Sequence, residues 1–528
     1  MRFVALVLFL FFVTAVPATA QLKEKLTEAQ ARERIAALRA GFAKQEADYL
    51  AIVTKARTDL EPATARYRAE KDAAAYQDAV HIYHWAITGN SALGEIGKTI
   101  ASLRELHKIL DDPEMTKRGY GEIATREALT NYQWVERNVW ANMIDPVVPT
   151  VAVDRSYLSR KPIKFLMAGD SITDYMDPGV TMPDYLDSRF QILGQGLSGH
   201  SVHSWFTSGS TQATLAWQPD VIVIMLGTNG TTAAMADSES KSGSREKVLA
   251  KYRDDLLSLR KLKSKPQVVL VTVPAQGPGL WHQGVPAMWE LQSHIARANR
   301  FPLIDMSKAL AGTLSEIPNG HAFCANRKTV GKWSHSFDDA HCSLGPAMAK
   351  YYGLIARQIL EPEKWYNLNL STSATASPDW KEPWLLAQCM RDPVTSPDRA
   401  LGMQKSKVED GYQIVPHEGK IKRGKANGEV SFLRPKSGGD FYIMPGRTHS
   451  LSFGRPYQVH SDTPPKAVSF PVRYDVTGTL TRGDGRPASG ISIALGKQST
   501  TTNAAGRFTF AGMQGNIIEH EMTIEPVR

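Results

Sequence analysis

The middle of the chain alternates short apolar runs with amphipathic segments. Predicted strands, each built on an apolar run, occupy residues 164–168, 190–193, 221–226, 268–273 and 303–305. Between the third and fourth strands, apolar side chains recur at helical spacing at Val248, Tyr252, Leu256 and Leu259. Strands that alternate with helices are typical of a parallel sheet covered on both faces. The pattern therefore predicts an α/β domain, which we place at residues 160–362.

The residues before this domain have a helical pattern. Residues 22–150 are rich in Ala, Glu, Arg, Lys and Leu. Two apolar stripes recur at helical spacing, one formed by Val80, Tyr83 and Ile87 and the other by Ile96, Ile100, Leu103 and Leu110. Such stripes are the buried faces of amphipathic helices. We therefore expect a helical accessory region at residues 22–150, with no role in binding a cofactor.

The residues after the α/β domain favour β structure. Residues 363–465 contain short β-like pieces among Gly and Lys residues, and we expect an irregular, β-rich connection there. After Pro464 and Pro465, polar and apolar residues alternate over 474–481, and two further strand-like runs follow turns. This segment resembles the carboxypeptidase regulatory-like domain. The resemblance implies a small all-β sandwich at residues 466–528, with a structural or adhesive role.

The first residues have the composition of a targeting segment. Met1 and Arg2 precede eleven consecutive apolar residues, and small residues at Ala18 and Ala20 precede Gln21. A short apolar run with a small-x-small site is typical of a secretory signal peptide and is too short to span a membrane. We therefore expect a signal peptide at residues 1–20 that is cleaved after Ala20. The mature protein would be secreted or periplasmic, with no transmembrane segment.

A serine follows the first predicted strand of the α/β domain, in the segment Gly169-Asp170-Ser171-Ile172-Thr173. A serine on a tight turn between a strand and a helix has its hydroxyl at the carboxyl edge of the sheet. There the first amide groups of the helix face developing negative charge. Ser171 is therefore a candidate nucleophile.

Three further segments follow in order, namely Gly196-Leu197-Ser198-Gly199, Gly227-Thr228-Asn229 and Asp338-Asp339-Ala340-His341. Together with the serine segment they resemble the four sequence blocks of the SGNH/GDSL hydrolase family, over about residues 160–362. The resemblance implies a flavodoxin-like parallel sheet and serine esterase activity. We expect neither a cofactor nor a metal ion in this mechanism.

The resemblance also implies a role for each block residue. Ser171 would attack the acyl carbon, His341 would take its proton and return it to the leaving alcohol, and Asp338 would orient His341. The amides of Ser171 and Gly199 and the side chain of Asn229 would form the oxyanion hole. Asp339 is the alternative partner of the histidine, although the Asp-x-x-His spacing favours Asp338.

The chain departs from the family pattern at three places. Gly194 stands where the second block often begins with Asn, Gly230 stands where the third block often has Asp, and Cys342-Ser343 replaces Leu-Asn after the histidine. None of these changes removes a catalytic group, so we expect them to affect loop support and substrate fit. Asn229 also begins a glycosylation sequon, which we reject because the family position lies inside the site.

The three cysteines are Cys324, Cys342 and Cys389. In an oxidising compartment, a Cys324–Cys342 disulfide would close the loop that carries the proposed Asp-His pair. Three free thiols are the alternative. No spacing of Cys and His residues predicts a metal site.

The chain is basic, with 62 Lys and Arg residues against 53 Asp and Glu residues. The basic segment 420–425 is either a solvated loop or a surface that attracts acidic polysaccharide or an anionic cell surface. Basic motifs interleaved with aromatic residues are absent from the sequence, so nucleic acid is not an expected partner.

The leading hypothesis is a secreted serine esterase whose substrate is an acylated carbohydrate, with acetyl as the acyl group. Trp205, Trp281 and Trp333 are predicted to lie in loops, where they would offer stacking faces for a sugar ring or simply pack inside. A lipolytic or aryl esterase and an acyltransferase are the alternative enzymes. The alternative from another class is a non-catalytic carbohydrate-binding surface protein.

Overall fold

The structure is a computed structural model. It describes residues 26–110, 134–135, 137–176, 178–234, 244–274, 280–307, 346–362, 365–375, 384–388, 412–414, 421–423, 430–433, 441–443, 448–454, 472–515 and 519–524. No helix within these ranges combines the length and the hydrophobicity that crossing a membrane requires.

A five-stranded parallel sheet forms the centre of the α/β domain. Its strands are β1 (Ile163–Gly169), β2 (Phe190–Gly196), β3 (Val221–Met225), β4 (Gln267–Val271) and β5 (Leu303–Ile304), in the order β2-β1-β3-β4-β5. This is the flavodoxin-like order, in which ligands bind at the carboxyl ends of the strands beside the switch point. The predicted α/β fold is therefore confirmed.

The described helices before the sheet are α1 (Glu28–Glu70), α2 (Ala73–Thr88) and α3 (Ser91–Leu110). Those between or after the strands are α4 (Ser171–Met176), α5 (Pro178–Thr181), α6 (Val202–Thr207), α7 (Gly209–Leu215), α8 (Thr231–Ala234), α9 (Ser244–Leu259), α10 (Leu280–Ala298) and α11 (Pro346–Ile359). Short 3₁₀ turns lie at Trp140–Asn142, Arg155–Ser159, Met182–Asp184 and Thr228–Gly230.

The two faces of the sheet bury different sets of helices. On β1, Leu166 and Ala168 point into one apolar core, whereas Phe165 and Met167 point into the other. Successive side chains of a strand alternate between faces, so a strand buried on both sides must be apolar throughout. This requirement is the reason that β1 and β3 were recognisable as continuous apolar runs.

The N-terminal helical region shares a core with the α/β domain. The predicted stripe residues Val80, Tyr83 and Ile87 of α2 are buried in the same apolar cluster as Leu166 of the sheet. In α3, Ile96 and Ile100 belong to this cluster as well. The predicted helices are therefore confirmed, and they pack onto the outside of the sheet-covering helix α10.

A buried arginine lies where α2 meets the start of α9. The guanidinium of Arg245 lies 4.3 Å from the centre of the Trp85 ring, and its Nη2 donates to Thr88 Oγ1 over 3.0 Å. Burial lowers the pKa of Arg245 to about 10. Stacking on an aromatic face and donation to a hydroxyl offset part of the cost of burying the charge.

The C-terminal strands form an all-β region, as predicted. The described strands are β6 (Tyr366–Thr375), β7 (Trp384–Gln388), β8 (Tyr412–Ile414), β9 (Ile421–Arg423), β10 (Val430–Leu433), β11 (Phe441–Ile443), β12 (Thr448–Gly454), β13 (Val472–Arg482), β14 (Ser492–Leu495), β15 (Gln498–Thr501), β16 (Arg507–Gly515) and β17 (Glu519–Ile524). They form a sheet of order β10-β7-β12-β17-β14-β15, a sheet of order β11-β6-β13-β16, and the pair β8-β9. The resemblance to the carboxypeptidase regulatory-like domain stays a prediction.

The strands of this region cross the expected boundary at residue 466. Strand β6 pairs with β13 along its whole length, from Tyr366 opposite Arg482 to Thr375 opposite Arg473. Strand β12 likewise pairs with β17. Pairing between strands that are distant in the sequence produces no local sequence pattern. The domain boundary predicted at residue 466 was therefore drawn without knowledge of these pairings.

Candidate active site

The serine block forms the turn between β1 and α4. Asp170 caps the helix, because its Oδ1 accepts a hydrogen bond from the amide of Ile172 over 3.1 Å. Ser171 is the first residue of α4 and is 7% exposed. A Cβ at Gly169 would overlap Oγ1 of Thr173 in α4 and lie 2.8 Å from the carbonyl oxygen of Met225, so only glycine fits between the helix and β3. The turn therefore holds Ser171 at the end of the central strand.

The second block follows β2 and lies directly against α4. A Cβ at Gly196 would overlap the backbone of Asp174 and lie 2.7 Å from its Cβ. Ser198 Oγ donates to Asp174 Oδ2 over 2.8 Å, which ties the loop to the same helix. Gly199 has a φ of +77°, a left-handed conformation that glycine adopts without strain. The loop that carries Gly199 is thus held against the serine-bearing helix at Gly196 and Ser198.

The third block follows β3. Gly227 has a φ of +133°, and a Cβ there would lie 2.9 Å from the sulfur of Met288. The turn that follows carries Asn229, whose Nδ2 donates to the carbonyl oxygen of His200 over 3.0 Å. The second and third loops are therefore joined by a side chain that belongs to the proposed oxyanion hole.

Strand register brings the three loops to one edge of the sheet. Gly169 lies opposite Gly196 on one side and opposite Met225 on the other. The amide of Leu197 also donates to the carbonyl oxygen of Gly169 over 3.0 Å. Ser171, Gly199 and Asn229 each lie a few residues beyond these aligned strand ends, as the sequence predicts for them.

Two buried side chains support the end of β3, and the sequence analysis missed both. The Tyr252 hydroxyl donates to the carbonyl oxygen of Leu226 over 2.7 Å, and Gln292 Nε2 donates to the same oxygen over 2.8 Å. Gln292 Oε1 also accepts from the amide of Val273 over 2.9 Å. Burial raises the pKa of Tyr252, so its hydroxyl keeps its proton and acts as a donor. A polar residue on the buried face of α10 was the one signal available for Gln292.

One departure from the family pattern, Gly194, has a clear steric reason, whereas the packing at Gly230 is less strict. A Cβ at Gly194 would lie 2.8 Å from Cδ of Pro178, so β2 approaches α5 too closely for a larger residue. A Cβ at Gly230 would lie 3.2 Å from Cε of Met288, which is a tight contact with a flexible side chain. Gly194 thus allows the close approach of β2 to α5, and the effect of these departures on loop support and substrate fit stays a prediction.

The remaining predicted site residues lie outside the described residues. These are Asp338 and His341, the alternative Asp339, and the cysteines Cys324, Cys342 and Cys389. The proposed catalytic pair and the Cys324–Cys342 bridge therefore stay predictions.

The predicted loop position of two tryptophans is wrong. Trp205 lies in α6, is fully buried, and donates its indole N–H to the carbonyl oxygen of Gln195 over 3.1 Å. It packs inside and offers no face to a sugar. Trp281 lies in α10 rather than in a loop, and Trp333 lies outside the described residues.

Fold and loops together define an α/β protein with a serine, a glycine and an asparagine at the carboxyl edge of a flavodoxin-like sheet. Residues 167–341 match the model of the GDSL-like Lipase/Acylhydrolase family. This part of the chain is therefore similar to GDSL-like acylhydrolase domains. No curated protein matches the chain.

Solved structures of similar proteins match less than half of this chain. A catalytic mutant of Axe2, an acetylxylan esterase from Geobacillus stearothermophilus, is 18% identical and has a TM-score of 0.29, and the match covers 38% of this chain and 96% of that one. A lipase/acylhydrolase from Enterococcus faecalis is 18% identical with a TM-score of 0.25, covering 37% and 95%. LAE5, an alpha/beta hydrolase from the metagenome of Lake Arreo, is 17% identical with a TM-score of 0.29, covering 38% and 94%.

Proposed function

We propose that the protein is a secreted serine esterase that hydrolyses acetyl esters of carbohydrates. The observation that carries the reaction class is the meeting of the Ser171, Gly199 and Asn229 loops at one edge of the sheet, within a domain that matches the GDSL-like acylhydrolase family. A nucleophile beside several amide donors is the arrangement that acyl transfer needs.

In this mechanism, Ser171 Oγ adds to the ester carbonyl while His341 removes its proton. The carbonyl oxygen gains negative charge and is held by the amides of Ser171 and Gly199 and by the side chain of Asn229. Collapse of this intermediate breaks the bond to the alcohol, which leaves with the proton from His341. A water molecule then releases acetate from Ser171 by the same steps, and Asp338 keeps the imidazole of His341 oriented throughout.

The side chains around the described site favour an ester of a sugar over an ester of a lipid as the substrate. Asp174 on the serine helix and Ser198 on the loop after β2 are exposed and hydrogen-bonded to each other, and His200 is partly exposed next to Gly199. Hydroxyl and carboxylate groups at a rim bind sugar hydroxyls, whereas a lipolytic site would need a continuous apolar surface. A lipolytic or aryl esterase and an acyltransferase use the same nucleophile, so substrate tests must separate them.

The test compares the mature protein with its Ser171→Ala variant on p-nitrophenyl esters of increasing chain length and on acetylated polysaccharides. We expect p-nitrophenyl acetate to be hydrolysed fastest, acetate to be released from the polysaccharide, and the variant to lose on the order of 10⁴-fold in turnover. A preference for long acyl chains would favour the lipolytic enzyme. A variant that keeps most of its activity would overturn the assignment of Ser171, and an inactive wild type would favour a binding protein.

Export is part of this proposal and has its own test. Expression of residues 1–528 in a bacterial host is expected to yield protein outside the cytoplasm that begins at Gln21. An intact N-terminus on protein retained in the cytoplasm would contradict export without affecting the reaction class.

A further inference from the structure

The contact between α2 and α10 contains imidazole and carboxylate groups that the proposed hydrolysis does not use. His81 Nδ1 lies 2.6 Å from Glu290 Oε1, and the rings of His81 and His294 stack with their centres 3.8 Å apart. One ligand atom from each of His81, Glu290 and His294 lies within 4.8 Å of the other two. Among the described residues, this is the one group of three such side chains close enough to share an ion.

A fourth residue orients the carboxylate. His84 is fully buried, and its Nδ1 is hydrogen-bonded to Glu290 Oε2. Its Nε2 accepts a hydrogen bond from the amide of Ile144 over 2.8 Å, so this nitrogen carries no proton and Nδ1 must be the donor. With Oε2 held by His84, Oε1 of Glu290 is directed toward His81 and His294. Hydrogen bonds of this kind fix the ligands of metal sites in proteins.

The donor set is that of a transition-metal site. Two imidazoles and one carboxylate are ligands that zinc accepts, whereas calcium and magnesium prefer oxygen ligands throughout. Tetrahedral ligands about 2.1 Å from zinc are roughly 3.4 Å apart. Reaching this spacing opens the His81–Glu290 contact, and it turns the His294 ring out of its stack on His81 so that one nitrogen of each ring points at the ion.

The surroundings suit an ion that enters from solvent. Glu290 and His294 are four residues apart on α10 and therefore share one face of that helix. The Glu290 side chain is 4% exposed and the His81 side chain 14% exposed, so the carboxylate lies inside and the imidazole edge faces water. A solvent molecule at this edge would complete a four-coordinate site.

We propose that His81, Glu290 and His294 bind one divalent transition-metal ion, with zinc as the best fit, and that the ion fastens α2 to α10. The ion would cross-link residues 209 positions apart in the sequence and join the N-terminal helical region to the hydrolase domain. Ligands that bind the folded state alone stabilise it. This proposal does not depend on the reaction that Ser171 performs.

The test is zinc binding by the complete mature chain after treatment with a chelator. Calorimetry with zinc chloride is expected to show one ion per chain with a micromolar or lower Kd, and the melting temperature should rise with zinc and fall again with chelator. Cobalt, titrated as a spectroscopic substitute, should give visible absorption from nitrogen and oxygen ligation. A wild type that shows no saturable binding of zinc or cobalt would overturn the proposal.

Substitutions of the proposed ligands test where the ion binds. His81→Ala and His294→Ala should each weaken zinc binding at least tenfold, whereas His203→Ala, which changes an exposed histidine on α6, should bind as the wild type does. Circular dichroism in chelator establishes that each variant is folded, and His294→Gln replaces His294→Ala if the latter is not. Zinc binding that survives in both ligand variants would place the ion elsewhere and overturn the proposal.

Discussion

The side-chain amide of Asn229 donates a hydrogen bond to the backbone carbonyl of His200 over 3.0 Å. This contact joins the loop after β3 to the loop after β2, next to Gly199. An amide nitrogen carries two hydrogens, so one can hold the loop while the other serves the oxyanion in the proposed mechanism. The same residue thus supports the shape of the site and, in the proposed mechanism, takes part in its chemistry.

We expect Asn229→Ala to lower kcat by roughly 10²–10³-fold and to change KM little, because the donor acts on the charge that develops in the transition state. Steady-state kinetics on p-nitrophenyl acetate measure both constants. Thr207→Ala, an exposed change on α6, should leave both unchanged and serves as the control. A raised KM with normal kcat would show instead that Asn229 positions the substrate.

Gly196→Ala should destabilise the protein by about 1–3 kcal/mol and reduce activity, because the added methyl overlaps the backbone of Asp174 and displaces the helix that carries Ser171. The matched control is Gly41→Ala in α1, where a Cβ meets nothing within 4 Å. That change should stabilise the protein by roughly 0.5–1 kcal/mol, since alanine favours helix. Denaturant unfolding measures both values, and equal effects of the two changes would refute the close contact at Gly196.

Arg245→Lys should cost about 2 kcal/mol although it keeps the charge. An ammonium group cannot stack on Trp85 as the guanidinium does, and it is more strongly hydrated, so its burial between α2 and α9 is less favourable. Arg253→Lys, on the exposed side of α9, should change the free energy of unfolding by less than about 0.5 kcal/mol. If the two variants are equally stable, the packing around Arg245 contributes nothing specific.

The sequence predicted the strands best where both faces are buried. β1 and β3 carry unbroken apolar runs and were placed to within one residue at each end. The end of β2 was missed, because Gly194-Gln195-Gly196 pairs with β1 through its backbone and has no apolar side chain to reveal it. Trp205 was misplaced for a related reason, since the short helix that buries it is defined by its contacts with neighbouring elements.

The positions of Ser171, Gly199 and Asn229 at one sheet edge followed from predicted strand ends and block order. The side chains that support the end of β3 could not be predicted in the same way. Tyr252 and Gln292 are distant in the sequence and come together at Leu226 only when the chain folds. The same limit applies to the cluster of His81, Glu290 and His294, which no spacing of residues in the sequence indicated.

A pair of truncated chains tests where the C-terminal all-β region begins. A chain that ends at residue 465 loses β13, and with it the ten-residue ladder to β6 and the hydrogen bond from the Gly483 amide to the carbonyl oxygen of Pro362, 3.0 Å long. A chain that ends at residue 365 loses β6 to β17 together and keeps Trp365, which is buried in the core beneath the α/β sheet.

We therefore expect the shorter chain to unfold cooperatively and to retain activity on p-nitrophenyl acetate. The longer one should aggregate, because it exposes unpaired strand edges. Size-exclusion chromatography and thermal unfolding compare the two with the complete protein. A chain ending at residue 465 that is monomeric and as cooperative as the complete protein would show that residues 466–528 fold as a separate unit, against the pairing of β6 with β13.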